Sequence, residues 1–167
     1  MNIIAAVTKN WGIGKDGRLL LSLPEDRKFF RETTLDSAVL MGRATLDSFP
    51  GGKPLPRRTN IVLSRDLAFH PDGVTVVRST EDALREVKRF DSNKVFVIGG
   101  EIVYETFLPY CRYAYITKMD VQPEADRFLT DLDSRPGWFL ETGGEWLLSG
   151  GVRYRFVRYE NRDPLPF

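Results

Sequence analysis

Val95-Phe96-Val97-Ile98-Gly99-Gly100-Glu101-Ile102-Val103-Tyr104-Glu105-Thr106-Phe107-Leu108 runs from an apolar stretch, through two glycines, into a segment stopped by Pro109. The apolar stretch predicts a strand buried on both faces, and the residues after the glycines predict a short helix. Strand, glycine turn and helix in this order form the repeating unit of a parallel α/β sheet. Two glycines let a ligand approach the backbone, and the helix start beyond them favours negative charge. The same residues also fit a tight turn that packs without a ligand.

Working outward, further β-branched runs read as strands: Ile3 to Thr8, Ala38 to Met41, Asn60 to Leu63, Val74 to Val77 and Lys94 to Ile98. Between them Glu25 to Thr34, Thr45 to Phe49, Thr80 to Phe90 and Ile102 to Leu108 read as helices. Beyond Pro109 the rhythm changes. Tyr113 to Met119 alternates as a strand, and Trp138 to Glu141 with Arg153 to Tyr159 reads as a closing antiparallel pair. The expected fold is a single α/β domain over residues 1–167, with a mostly parallel central sheet, an antiparallel C-terminal edge and flanking helices.

Of the 167 residues, 42% are hydrophobic and 28% charged, the balance of an ordinary globular protein. The net charge of +1 comes from 24 basic and 23 acidic residues without a single-sign block, which argues against nucleic acid or a membrane surface as partner. Met1 to Val7 is apolar but short and lacks a basic leader, so it reads as a first strand rather than a signal peptide, and a cytoplasmic location is expected. One cysteine, Cys111, and one histidine, His70, rule out an internal disulfide and a zinc site of the usual Cys/His kind, so no metal is expected. His70 lies in the turn-like Phe69-His70-Pro71-Asp72-Gly73 and reads as structural. Any catalysis must therefore rest on carboxylates, hydroxyls, backbone groups and a cofactor.

Among the carboxylates Asp26 is unusual, because it shares a helical face with Phe29 and Phe30. A carboxylate on an apolar face needs a cationic or hydrogen-bonding partner, from the protein or from a ligand. An acidic residue just after Pro24 also suits a helix start, and both readings remain open. Gly12-Ile13-Gly14-Lys15-Asp16-Gly17 matches a dinucleotide fingerprint in form, but Pro24 discourages the helix that such a motif must open. It reads instead as a long mobile loop with glycine hinges. Met41-Gly42-Arg43-Ala44-Thr45 repeats the strand-glycine-helix pattern, and Leu63-Ser64-Arg65 ends another strand with a hydroxyl and a guanidinium. Arginines after parallel strands suit a ligand carrying an extra phosphate.

Taken in order, these segments resemble the dihydrofolate reductase family over nearly the whole chain. The resemblance is carried by Ile4-Ala5-Ala6, Trp11-Gly12-Ile13-Gly14, Leu23-Pro24-Glu25-Asp26 with Phe29-Phe30, and Met41-Gly42-Arg43-Ala44-Thr45. It continues through Pro54-Leu55-Pro56-Arg57-Arg58-Thr59-Asn60, Leu63-Ser64-Arg65, Val97-Ile98-Gly99-Gly100, Val103-Tyr104 and Tyr115-Ile116-Thr117.

The resemblance implies reduction of 7,8-dihydrofolate to tetrahydrofolate, by hydride transfer from NADPH to pterin C6 with a proton delivered to N5. It implies Asp26 as the pterin-binding carboxylate, supported by Thr117, with Ile4, Ala5, Phe30 and Phe49 around the substrate and Arg58 on the glutamate α-carboxylate. It implies cofactor contacts from Ala6, Ile13, Gly14, Gly42, Arg43, Ala44, Thr45, Leu63, Ser64, Arg65, Ile98, Gly99, Gly100, Glu101, Ile102, Val103 and Tyr104. Ser64 and Arg65 would read the 2′-phosphate. The segment from Asn10 to Leu23 would close over the site. Antifolate small molecules are implied as ligands, and a monomer is expected because no surplus apolar stripe is evident.

The chain also departs from the family pattern. Leu20-Leu21 stands where many members carry Pro-Trp, so Leu21 offers no indole N–H near the pterin. Ala44 replaces a frequent basic residue, and Glu101 follows the glycines where a third glycine is common. Asp126 resembles a loop residue that pairs with the closing segment. Two other readings are a related reductase of the riboflavin pathway, which would not need Asp26 and Arg58 together, and a non-catalytic folate- or nucleotide-binding module.

Overall fold

The computed structural model describes all 167 residues. In chain order the elements are β1 (Asn2–Val7), β2 (Gly12–Lys15), β3 (Arg18–Leu19), α1 (Pro24–Thr34), β4 (Ala38–Gly42), α2 (Arg43–Asp47), β5 (Thr59–Leu63) and β6 (Val74–Val77). They continue with α3 (Thr80–Val87), β7 (Val95–Gly99), α4 (Glu101–Phe107), β8 (Tyr113–Met119), β9 (Arg127–Phe128), β10 (Trp138–Gly143), β11 (Leu147–Ser149) and β12 (Val152–Asn161). β7, the strand of the opening motif, is buried along its whole length between the parallel strands β1 and β4.

The main sheet has the order β10-β12-β8-β1-β7-β4-β5-β6, with β11 beside β12. Pairing is parallel from β8 across to β6, and antiparallel where β12 meets β8, β10 and β11. The expected mixed sheet with its antiparallel C-terminal edge is therefore present. Helix boundaries move by a few residues. α2 opens at Arg43, directly after Gly42, rather than at Thr45. α3 ends at Val87, and the backbone from Arg89 to Phe90 tightens into three-residue hydrogen bonds instead of continuing the helix to Phe90.

The two faces of the sheet are filled unequally, and this is what makes room for a site. One face carries a cluster of 24 buried residues that includes Ile3, Leu40, Ile61 and Val97 with Val87 of α3 and Phe107 of α4. The other carries a cluster of seven, including Ile4, Met41, Ile98 and Leu46 of α2. Against this smaller cluster lie Phe29 and Phe30 of α1, only half-buried. A helix whose apolar face is incompletely covered leaves a cleft between itself and the sheet. The cleft's floor lies where β1 nears its C-terminal end, the end at which open parallel sheets bind ligands.

The glycine-bearing segment after β1 is not an irregular loop but carries strands. β2, β3 and β9 form a second, three-stranded sheet, in which Gly14 pairs with both Leu19 and Arg127. The reversal between β2 and β3 is the dipeptide Asp16-Gly17, with φ of 51° and 76°. Left-handed conformations at both central residues define the tight hairpin turn that Asp-Gly favours, because its twist matches that of the flanking strands. Gly12 lies within β2 and is closely packed. A side chain there would lie 2.8 Å from Thr8 Oγ1 and 2.9 Å from Ala125 Cβ, so the strand packs where only a glycine fits. No helix is long and apolar enough to cross a membrane.

Candidate active site

Asp26 occupies the first turn of α1, which opens with Pro24 and has no capping side chain at Leu23. Its Oδ1 accepts the Thr117 hydroxyl proton at 2.6 Å, across 91 residues of chain. Thr117 is buried in β8, opposite Ala6 of β1 and Phe156 of β12, so three strands fix the hydroxyl that orients the carboxylate. Burial pushes the Asp26 carboxyl above the ordinary range, opposed by the Thr117 hydrogen bond and by Arg27.

Ile4, Phe30 and Phe49 meet in the smaller apolar cluster together with Ile98, which places them on the cleft side of the sheet. Ala5 alternates to the opposite face and packs on the main core, so its side chain does not share the face of Ile4. Leu21 is half-buried against Leu23, Met119 and Tyr154. It brings no donor to this region.

Arg58 is held before any ligand arrives. Its Nε donates to Thr34 Oγ1 at 3.2 Å, Nη1 to the Pro56 carbonyl at 2.8 Å and Nη2 to the Arg31 carbonyl at 3.2 Å. Partial burial and then the like charges of Arg31 and Arg57 pull its pKa down, while a guanidinium stays charged throughout. Thr34, fully buried and donating to the Phe30 carbonyl at 2.8 Å, positions this arginine and carried no functional signal in the sequence.

On the cofactor side the two strand-glycine-helix turns lie against each other. A Cβ at Gly99 would meet the Tyr104 ring at 3.3 Å and Thr45 Oγ1 at 3.5 Å, and one at Gly42 would meet Val103 at 3.2 Å. Tyr104 donates its hydroxyl to the Ile4 carbonyl at 2.9 Å and is kept strongly protonated by burial and the Asp26 charge, so it ties α4 to β1 beneath the cleft.

Arg43 is engaged by Asp66 at 2.9 Å and stacks over the Phe69 ring at 4.4 Å, whereas Arg65 is exposed beyond the half-buried Ser64. Sequence reading missed Arg78. It follows β6 just as Arg65 follows β5, and donates to the carbonyls of Ser64 at 3.2 Å and Phe69 at 3.0 Å and to that of Asp66. The recurrence of an arginine just past a third parallel strand end was the available signal. Ala44 is exposed, and the Ile102 side chain, 76% exposed, faces solvent. Leu63 and Ile13 pack on the main core.

In the sheet β2-β3-β9, Gly14 is buried between Arg18 and Arg127. Asp126 Oδ2 accepts the Asp16 N–H at 3.0 Å, and Lys15 pairs with Glu124 at 3.0 Å. Glu101 does not lie free beside the glycines, because its Oε2 accepts the Phe128 N–H at 2.7 Å. A separate hollow of about 530 Å³, bordered by Met1, Tyr110, Arg112, Tyr113 and Phe167, lies at the opposite, N-terminal ends of β1 and β8. It lacks the buried carboxylate and the glycine turns that mark the cleft.

The chain is similar to known proteins over most of its length. The family model described as dihydrofolate reductase matches residues 1–147. A dihydrofolate reductase from Mycobacterium tuberculosis is 39% identical over 164 residues, covering 95% of this chain and 96% of that protein. One from Haemophilus influenzae is 39% identical over 132 residues, 79% of each chain. The solved structure of dihydrofolate reductase from Enterococcus faecalis, complexed with NADP(H) and RAB-propyl, superposes with a TM-score of 0.86 at 31% identity, over 97% of this chain and 96% of that one. With the half-buried Asp26 held by Thr117, the preset Arg58 and the paired glycine turns all carried on this sheet, the chain belongs to the dihydrofolate reductase family.

Proposed function

We propose that Asp26 is the carboxylate through which this family member reduces 7,8-dihydrofolate to 5,6,7,8-tetrahydrofolate with NADPH. The observation that carries the assignment is the half-buried carboxylate, held by a buried hydroxyl and flanked by apolar walls beside a glycine-rich turn. Dihydrofolate, with its amino-pterin head and anionic tail, complements a carboxylate at one end of the cleft and Arg58 at the other. Ile4, Phe30 and Phe49 wall the region between them.

The cofactor side fits a dinucleotide phosphate. Gly99 and Gly100 keep the backbone clear at a helix start, Thr45 stands against them, and Ser64, Arg65 and Arg78 gather at neighbouring strand ends. These residues would hold NADPH, which when bound supplies the hydride delivered to pterin C6. Asp26 stabilises positive charge developing on a pterin protonated at N5, because its negative charge acts in a cleft of low dielectric. Water is the final proton donor to N5 in this scheme, and closure of the β2-β3-β9 sheet would exclude bulk solvent. In this reading the protein acts as a cytoplasmic monomer, and the reaction serves one-carbon and thymidylate metabolism. Antifolates would compete for the Asp26 end of the cleft.

The deciding experiment follows reduced-nicotinamide absorbance as purified protein meets NADPH and dihydrofolate, separately and together. Oxidation that requires both supports the assignment. NADPH binding without oxidation would favour a riboflavin-type reductase or a binding module.

Two variants test the substrate end. Arg58→Gln should raise the KM for dihydrofolate by about tenfold or more, the loss expected for one charge-assisted contact, with the NADPH Kd unmoved. An equal loss for both ligands would contradict its place on the tail. Leu21→Trp should restore an indole donor and shift the pH dependence of kcat. Superimposable pH profiles would show that the missing donor is of no consequence.

A further inference from the structure

We propose that Glu101 is a positioning residue that fastens the sheet β2-β3-β9 to the helix start on the cofactor side. Its importance for turnover rests on the reductase assignment above.

Glu101 opens α4, directly after Gly100, at the position where a third glycine would leave no side chain. Its carboxylate reaches across 27 residues of chain to the Phe128 amide at 2.7 Å. Phe128 pairs with Gly12, Arg127 pairs with Gly14, and β2 in turn pairs with β3. One hydrogen bond therefore connects α4 to every strand of the closing sheet.

The two partners differ in rigidity. α4 is anchored by the buried Val103, Tyr104 and Phe107 and by the Tyr104 bond to Ile4. In the closing sheet Arg18, Leu19, Arg127 and Phe128 are exposed, and apolar anchorage comes only from Ile13 of β2 and from Leu129 just past β9, which pack on the main core. β3 and β9 themselves are held by backbone pairing and polar contacts. The Asp16–Asp126 bond and the Lys15–Glu124 pair join β2 and its turn to the segment just before β9, and do not reach α4. The Glu101 bond supplies that missing connection. A carboxylate acceptor makes a stronger hydrogen bond than a neutral one.

The arrangement also uses a charge that would otherwise oppose the cofactor. At a helix start beside two glycines, a free carboxylate would compete with an anionic ligand for the same positive end. Turned onto the Phe128 amide, it leaves the Gly99-Gly100 backbone open.

Amide hydrogen exchange on the full ligand-free chain tests the fastening directly. Glu101→Ala should speed exchange in residues 12–19 and 127–128 by about tenfold, as local opening there becomes easier. Amides of β1, β7 and α4 should keep wild-type rates, which verifies folding. Glu101→Gln, whose side-chain oxygen accepts the same N–H, should recover most of the protection. If the alanine variant does not fold, Glu101→Asp takes its place, since its shorter arm keeps the charge but withdraws the oxygen. Unchanged exchange in the alanine variant, or equal acceleration in alanine and glutamine, overturns the proposal.

The catalytic consequence is read in single turnovers of NADPH with dihydrofolate. Alanine should slow the step by about fivefold while the dihydrofolate Kd stays within about twofold, and glutamine should recover most of the rate. Faster exchange without any change in rate would refute the positioning role. A wild-type protein that fails to oxidise NADPH would instead refute the reductase assignment, and exchange alone would then decide the fastening.

Discussion

Replacing Asp26 by Asn lowers turnover by about 10²–10³-fold while the NADPH Kd stays near its wild-type value. Asparagine keeps the shape and can still accept from Thr117, so the variant removes the charge rather than the fold. A parallel collapse of NADPH affinity would show that Asp26 supports the cleft instead of the chemistry. Stability moves the other way. Burial raises the carboxyl above its ordinary range, so the folded chain binds more protons than the unfolded chain between the unfolded value and the raised folded one. Wild-type stability therefore falls as pH rises through that window and levels off above it. Asp26→Asn should lose this slope, with an advantage that is absent below the window and full above it. Denaturant midpoints measured across the acidic to neutral range check this, and a variant less stable at neutral pH would contradict it.

Gly99→Ala has the second large effect. Gly99 has φ of 125°, a conformation that side-chain-bearing residues rarely adopt, and its Cβ would press on Tyr104 and Thr45. Strain of this kind costs about 1–3 kcal/mol. Displacing Tyr104 would also loosen its bond to the Ile4 carbonyl, beneath the cleft. The denaturant midpoint should fall accordingly, and NADPH affinity should drop by about tenfold or more. Gly100→Ala is the internal control for folding, since its φ of −83° is ordinary and its added Cβ lies 3.8 Å from Thr45 Oγ1. Equal destabilisation by both substitutions would place the constraint elsewhere than at Gly99.

Burial and hydrogen bonding explain which features were legible. The Val95–Ile98 run reads as a buried strand, because it is short, continuously apolar and rich in β-branched residues. The alternation of strands with helices then dictated a parallel sheet. Asp26 was conspicuous because a carboxylate among phenylalanines demands a partner. The hairpin at Asp16-Gly17 was also legible in principle, since Asp-Gly is a strong turn signal. Its flanking residues Gly12, Gly14, Arg18 and Leu19 carry too little apolar alternation to read as strands, and they gain strand form only by pairing with each other and with Arg127 and Phe128.

By itself, then, the sequence determined the order of the parallel strands and helices, the glycine turns and the chemical types available to a site, because these depend on local propensity and on residue identity. Only the tertiary structure decided which partners those residues find. It put Thr117 beside Asp26, Arg31 and Thr34 around Arg58, Asp66 against Arg43, and the Phe128 amide on Glu101. Each of these pairs joins residues distant in the chain. Their meeting depends on strand order and register, which arise from packing the whole sheet and are not encoded within any one segment.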